Sequence, residues 1–326
     1  MSAEKVHLTE RPKPEPRSGE ALLRVRRAGI CNTDLEIAKG FMGFNGILGH
    51  EMVGDIEALG PDTTLPNHLE GMRVVPEINC ACLSCDWCKR GQGNHCPNRT
   101  VLGIMNKDSG MAEYVTVPIE NLHAVSATIS DDAATFVEPL AAAMHALDED
   151  VLFEGARVAV IGDGKLGLLI AMAVMLHRKS LGQALLIGKH QDKLNKAKSF
   201  GIDTCLLTEL DDSGFDVLIE ASGQASGLNT ALALTRPKGK VILKSTYAPH
   251  EDGRGLGVDL SPIVINELSV IGSRCGDFVR ALQALEAKRV DPELLIAHQF
   301  GLEQAESAFS VASTKGTLKV LLNMSE

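Results

Sequence analysis

The sequence predicts an α/β chain of two domains, a doubly wound nucleotide-binding domain set into a β-rich one. Three observations predict it. The chain has 326 residues, against a prior of about 150 residues per domain. From about residue 157 short apolar strands alternate with helix-length segments, the rhythm of a parallel sheet covered by helices. A G-x-G-x-x-G motif directly follows the first of those strands.

The elements follow in order. ALLRVRRAGI, MVGDIEAL, MRVVPEI and AEYVTVP read as β runs separated by Gly, Pro and Asn. RPKPEP ahead of them is a short rigid connector. RVAVIG, ALLIG, FDVLIEA and GKVILKS are strands, and LGLLIAMAVMLHRK and DKLNKAKSFG are helices with an apolar face. SVIG opens the last part, an amphipathic helix is predicted over 277–288, and LKVLLN is the final strand. The β-rich domain is therefore placed at 1–139, completed by 272–326, with the nucleotide domain at 140–271.

Composition narrows the function. A net charge of −10 without a long basic tract argues against a nucleic-acid partner. No apolar run approaches the ~20 residues of a membrane span, and MSAEKVHLTERPKPEP lacks a signal peptide's hydrophobic segment. A cytoplasmic location and a small-molecule partner are expected. In such a reducing compartment clustered cysteines are metal ligands more often than disulfides.

In RVAVIGDGKLG, Gly162 allows the tight turn, Gly164 a close approach to a pyrophosphate, and Gly167 tight packing of helix on strand. Lys165 and Leu166 complete the loop at the helix N-terminus, which faces the phosphates. A carboxylate for the adenosine ribose is expected at the end of the second strand. That strand ends in Gly188, followed by Lys189 and His190. A lysine there can neutralise a 2′-phosphate, so NADP is favoured over NAD. The bland reading leaves Lys189 in solvent.

Cys82, Cys85, Cys88 and Cys96 stand in C-x2-C-x2-C-x7-C spacing, suited to a closed structural zinc. An iron–sulfur run of the bacterial ferredoxin type has a final gap of three residues instead of seven. Cys80 is surplus. A second group is dispersed: Cys31 in GICNTD, His50 and Glu51 in ILGHEMVG, and Glu138 in FVEPL. One thiolate, one imidazole and one carboxylate would leave a fourth zinc position open for catalysis. Taken singly, each of these residues is more often a surface or hydrogen-bonding group.

The segments GICNTD, GHEMVGDIEALG, the four-cysteine lobe, VEPL, the glycine motif, IEASG and GKVILKST occur in one order along nearly the whole chain. In this the sequence resembles the zinc-dependent medium-chain dehydrogenases/reductases, the alcohol dehydrogenase superfamily, and within it the polyol and threonine dehydrogenase branches. The resemblance implies a Rossmann nucleotide domain, a GroES-like catalytic domain and a catalytic site in the cleft between them. It implies two zinc ions per chain, one catalytic and one structural. Cys31 and His50 resemble catalytic zinc ligands, with Glu51 or Glu138 the third or an exchanging group. Asp34 matches an aspartate that orients the ligand histidine, and Thr33 the hydroxyl that receives the substrate proton. Lys193 matches a lysine near the ribose, while Ser222, Lys244 and Ser245 lie where strand ends approach the cofactor.

The implied activity is reversible oxidation of a secondary alcohol, polyol or amino alcohol with NAD(P), by a homodimer or homotetramer. The sequence departs from classical alcohol dehydrogenases at Glu36, where they carry a relay histidine. Two alternatives are a catalytically silent member of the fold and a zinc-free quinone-type reductase. The first would more often have lost Cys31, His50 or the glutamate. The second has no use for either zinc constellation.

Overall fold

Strand β1 (Glu20–Ile30) organises the N-terminal part of the computed structural model, which describes residues 6–148, 151–247 and 257–324. Its residues are buried on both sides of the pleat at both ends. After it come α1 (Asn32–Ile37), β2 (Glu51–Leu59), β3 (Arg73–Pro76), β4 (Asn79–Cys80), α2 (Asp86–Lys89), β5 (Thr100–Leu102), β6 (Asn106–Lys107), β7 (Tyr114–Pro118) and β8 (Leu122–Val125). Short helices α3 (Asp131–Ala134) and α4 (Val137–His145) lead out of this region.

The chain then builds β9 (Arg157–Ile161), α5 (Lys165–Met175), β10 (Gln183–Gly188), α6 (Gln191–Lys198), β11 (Asp203–Leu206), β12 (Phe215–Glu220), α7 (Ala225–Leu234), β13 (Thr235–Leu243), α8 (Ser261–Ile265) and β14 (Ser269–Gly272). These strands form one sheet in the order β11-β10-β9-β12-β13-β14, every neighbouring pair parallel. That order is doubly wound, and it reverses direction beside β9, where such folds bind dinucleotides. Buried runs such as Val158–Ile161 and Ala184–Ile187 are what a sheet covered on both faces requires. Phe215, Leu218, Leu228 and Val241 are among its packed core residues.

Helix α9 (Phe278–Glu286), β15 (Ile296–Gly301), α10 (Ala305–Ser313) and β16 (Lys319–Asn323) complete the chain. The first sheet runs β15-β16-β1-β2-β3-β8. Along one edge β1 pairs with β2; along the other it pairs first with β7 and then with β16. The change of partner coincides with an irregularity between Val25 and Arg27. A small third sheet, β4-β5-β6, belongs to the cysteine lobe.

Two compact units result, Met1–Glu138 with Phe278–Glu326, and Pro139–Asp277. The second unit thus runs to Asp277, beyond the sequence-predicted limit of 271. The extra residues stay with it because the turn after β14 lies against α4: a Cβ on Gly276 would fall inside contact distance of the Ala141 carbonyl. No helix is long and apolar enough to cross a membrane among the described residues.

Gly276→Ala forces that turn off α4 and is expected to cost about 1–3 kcal/mol, the usual penalty of overpacking. Urea unfolding of the variant reads this directly, and an unchanged midpoint would show that the turn moves freely.

Candidate active site

At the end of β1, Cys31 occupies the N-cap of α1, and three residues on Asp34 turns back into the protein. Its side chain is 0% exposed. Oδ2 accepts the Cys31 amide at 2.8 Å, and Oδ1 accepts the Gly49 amide at 3.3 Å. Oδ1 also lies 3.2 Å from His50 Nδ1, at ion-pair distance though out of line for a hydrogen bond. One carboxylate therefore fixes the backbone on either side of the pocket and the orientation of the imidazole.

Cys31, His50 and Glu51 each bring a donor atom to within 4.8 Å of the other two. His50 and Glu51 are buried, while Cys31 remains partly open. Burial works against a charge on His50, but Asp34 and Cys31 outweigh it and hold the ring's pKa well above the usual imidazole value. A sulfur, a nitrogen and a carboxylate oxygen so placed fit zinc, the metal that takes this mixed set with one position open. Thr33 Oγ1 lies 3.7 Å from Cys31 Sγ. Glu138, in the first turn of α4, stands outside this cluster.

A residue that sequence reasoning passed over completes the pocket. Lys319 on β16 forms an ion pair with Glu51 on β2, although β1 runs between them. The register explains how: Gly29 of β1 lies opposite Glu51. A Cβ there would collide with the Glu51 carboxylate and reach 3.4 Å from Lys319 Cδ. Only a bare backbone lets the two side chains meet over the strand. Lys319 is 5% exposed, and its Nζ lies 5.5 Å from the Phe136 ring centroid. Burial alone would lower its pKa, yet Glu51, with Cys31 and Asp34, raises it. A lysine inside the apolar run LKVLLN was the available signal.

The four-cysteine lobe is compact. Cys82, Cys85, Cys88 and Cys96 gather around one point, with Sγ–Sγ distances of 4.0 Å (82–88), 3.5 Å (85–88), 3.7 Å (85–96) and 3.4 Å (82–96). Zinc–sulfur bonds of about 2.3 Å in a tetrahedron imply sulfurs about 3.8 Å apart, so the quartet fits that ion; disulfides would need about 2.05 Å. Without a cation the thiols are unequal. The Ser84 hydroxyl and nearby amides draw Cys82 down to about 5, while desolvation and its sulfur neighbours push Cys88 up to about 12. Cys80 is buried outside the quartet, and burial raises it to about 11.

At the other candidate site, Gly162 turns off β9 with φ +117°, and Gly164 caps α5 ahead of Lys165 and Leu166. Gly167 packs so near the Gly162 carbonyl that no side chain fits. The second strand carries no acid at its end, but one that sequence reasoning did not assign lies over that end. Asp163, from within the glycine motif, folds over Gly188, where a Cβ would stand 2.6 Å from its Oδ2. Its carboxylate accepts the amides of Lys189 and His190, both at 2.7 Å. An acid inside the motif and a glycine where an acid belongs were the paired signals.

Lys189 is exposed, and Lys193 lies partly buried in the first turns of α6. Ser222 donates its amide to Glu220 Oε1 at 2.8 Å, and its hydroxyl bonds the same oxygen. Ser245 neighbours Gly223. Lys244 is already engaged, donating to the Arg274 carbonyl at 2.8 Å and to Ser273 Oγ at 3.2 Å.

The chain is similar to known proteins along most of its length. The alcohol dehydrogenase GroES-like domain family matches residues 17–127, and the zinc-binding dehydrogenase family matches residues 166–288. A sorbitol dehydrogenase of Halalkalibacterium halodurans is 31% identical over 96% of this chain and 94% of its own. Among solved structures, a protein described as a short chain alcohol dehydrogenase (RspB) from Escherichia coli CFT073, complexed with NADH, is 26% identical with a TM-score of 0.88, covering 98% of this chain and 96% of that one. A Sinorhizobium meliloti 1021 protein assigned to the zinc-binding dehydrogenases, bound to NADP, is 27% identical with a TM-score of 0.85, over 99% and 97% of the two chains.

Lys319→Met removes one partner of a buried pair and is expected to destabilise the protein by about 3–5 kcal/mol, seen as a lower unfolding midpoint; a variant of parental stability would show that Glu51 finds another partner. A metal in the Cys31–His50–Glu51 pocket competes with a proton on His50 across neutral pH, because that pKa is raised. Loss of metal to a chelator should therefore be faster at about pH 6 than at about pH 8, and a pH-independent rate would remove His50 from the ligand set.

Proposed function

The chain belongs to the zinc-binding alcohol dehydrogenase family, and on that premise we propose that it is a zinc-dependent enzyme oxidising a secondary hydroxyl of a polyol to a carbonyl, reversibly and with NADP preferred. NAD(P)-dependent alcohol oxidation is common ground with its relatives. The observation that carries the zinc chemistry is the convergence of Cys31, His50 and Glu51 on one point, locked by Asp34. The sorbitol-oxidising relative supports the polyol class. Exposed Lys189, with no acid on β10, supports NADP.

When bound, zinc supplies Lewis acidity toward the substrate oxygen, and the nicotinamide supplies the hydride acceptor. The chain's residues do the rest. Asp34 lies 3.2 Å from His50 Nδ1 and would hold the ring while the other nitrogen serves as a ligand. Lys319 forms an ion pair with Glu51 and holds its carboxylate toward β16. Thr33, beside Cys31, would take the substrate's hydroxyl proton and hand it to the cofactor ribose or to water. Glu36 pairs with Lys39 at 2.8 Å on the surface. The cysteine quartet would hold a second zinc that staples residues 79–102 where little apolar core exists.

A homodimer is the proposed assembly. Strand β14 closes one end of its sheet with all four residues exposed, and beside it Val264 and Ile265 of α8 are 80% and 77% exposed. An unpaired apolar edge of this kind favours pairing with a second copy.

Absorbance of reduced nicotinamide tests the reaction. Purified protein with NADP or NAD is expected to turn over sorbitol or a shorter polyol in preference to ethanol and threonine. Cys31→Ala should reduce that turnover to background while dinucleotide binding persists. Undiminished turnover in the variant would refute the zinc mechanism.

A further inference from the structure

The Asp163 side chain does more than fill the space above Gly188. Its Oδ2 takes two main-chain amides, and the His190 ring nitrogen Nδ1 lies 3.0 Å from Oδ2 and 3.1 Å from Oδ1. A carboxylate offers about four acceptor positions, and at least three are spoken for within one turn. Only 9% of the side chain is exposed. Burial by itself would raise the Asp163 pKa, but the bonds from the His190 ring and from the two amides hold it below the usual value. The acid is thus charged, enclosed and largely engaged by the very residues that follow β10.

This arrangement answers differently from an acid carried on the strand itself. An aspartate at position 188 would present free oxygens to the two ribose hydroxyls and repel a 2′-phosphate. Asp163 instead turns its oxygens into the protein, and its charge is met by amide dipoles and the imidazole. Lys189 and Lys193 are left, neither paired with an acid among the described residues. They stand four positions apart at the start of α6, whose N-terminus adds its own positive end.

We propose that Asp163 and His190 form an internal clamp that positions the Gly188–His190 turn so that Lys189, with Lys193, receives the 2′-phosphate of NADP. Asp163 is a positioning residue in this reading, acting through the backbone of Lys189, and it rests on the dinucleotide-binding role of the glycine motif given above. The clamp compensates for the missing strand-end acid and, by consuming its own acceptors, withholds the group that would select NAD.

Calorimetric titration of the whole zinc-loaded protein with NADPH and with NADH, without substrate, tests it. The parent should bind NADPH more tightly. Lys189→Ala, an exposed change that does not threaten folding, should weaken NADPH by about 10- to 100-fold, the effect of one charge-assisted hydrogen bond, and leave NADH within about twofold. Asp163→Asn keeps the shape and should lower the NADPH-to-NADH affinity ratio by about tenfold, its NADH binding serving as the check that it is folded.

A ratio that rises in Asp163→Asn would overturn the proposal, for the carboxylate would then be repelling the phosphate. An equal loss for both cofactors in that variant would also overturn it, since Asp163 would merely hold the loop up. If the parent binds neither dinucleotide, the failure lies with the glycine-motif reading itself.

Discussion

The geometry of the candidate metal pocket depends on one buried carboxylate. Asp34 is satisfied chiefly by the amides of Cys31 and Gly49, with the His50 imidazole beside it. Those amides belong to the residue bearing the thiol and to the residue just before the histidine. The strand pairing of β1 with β2 brings the two stretches side by side, and Asp34 converts that proximity into fixed positions. A charge so enclosed is tolerable only because it is multiply bonded, which is also why the pocket cannot relax around its loss.

Asp163 solves a similar problem in the other unit. Both acids sit near the start of a helix that follows a β-strand, and both are spent on backbone amides around the site rather than presented outward. Lys319 is the counterpart of opposite sign, a buried cation that holds a carboxylate toward β16. In each case a glycine makes room: Gly188 beneath Asp163, and Gly29 beneath the Glu51–Lys319 pair. The glycine is needed there for the absence of its side chain, not for a left-handed backbone.

Much of this was legible from sequence because it is local. The strands of the parallel sheet, the helix after the glycine motif and the cysteine quartet are all written within short windows, where period and spacing are decisive. Cys31, His50 and Glu51 were legible through the segments around them. What escaped is what depends on partners far apart in the chain. Lys319 looked like one polar residue in a final strand, and nothing local links it to Glu51, 268 residues earlier. Asp163 was hidden by the motif itself, since the position between the first two glycines is written as free. That Glu51 and not Glu138 gathers with Cys31 and His50 was beyond spacing altogether, because it depends on the β1–β2 register for the one and on the position of α4 for the other.

The first sheet draws on both ends of the described chain, and that has a temporal side. Three donors to the pocket lie within the first 51 residues, whereas the lysine that neutralises Glu51 is on β16. At synthesis rates of about 5–20 residues per second, β16 follows β2 by roughly 15–50 seconds. Throughout that interval β1 has an open edge and Glu51 lacks its counter-charge, while the nucleotide unit between them has already been made. The nascent protein therefore passes through a stage with its Rossmann unit synthesised and its candidate metal pocket electrostatically incomplete, a state that ends only when β16 brings Lys319 to Glu51.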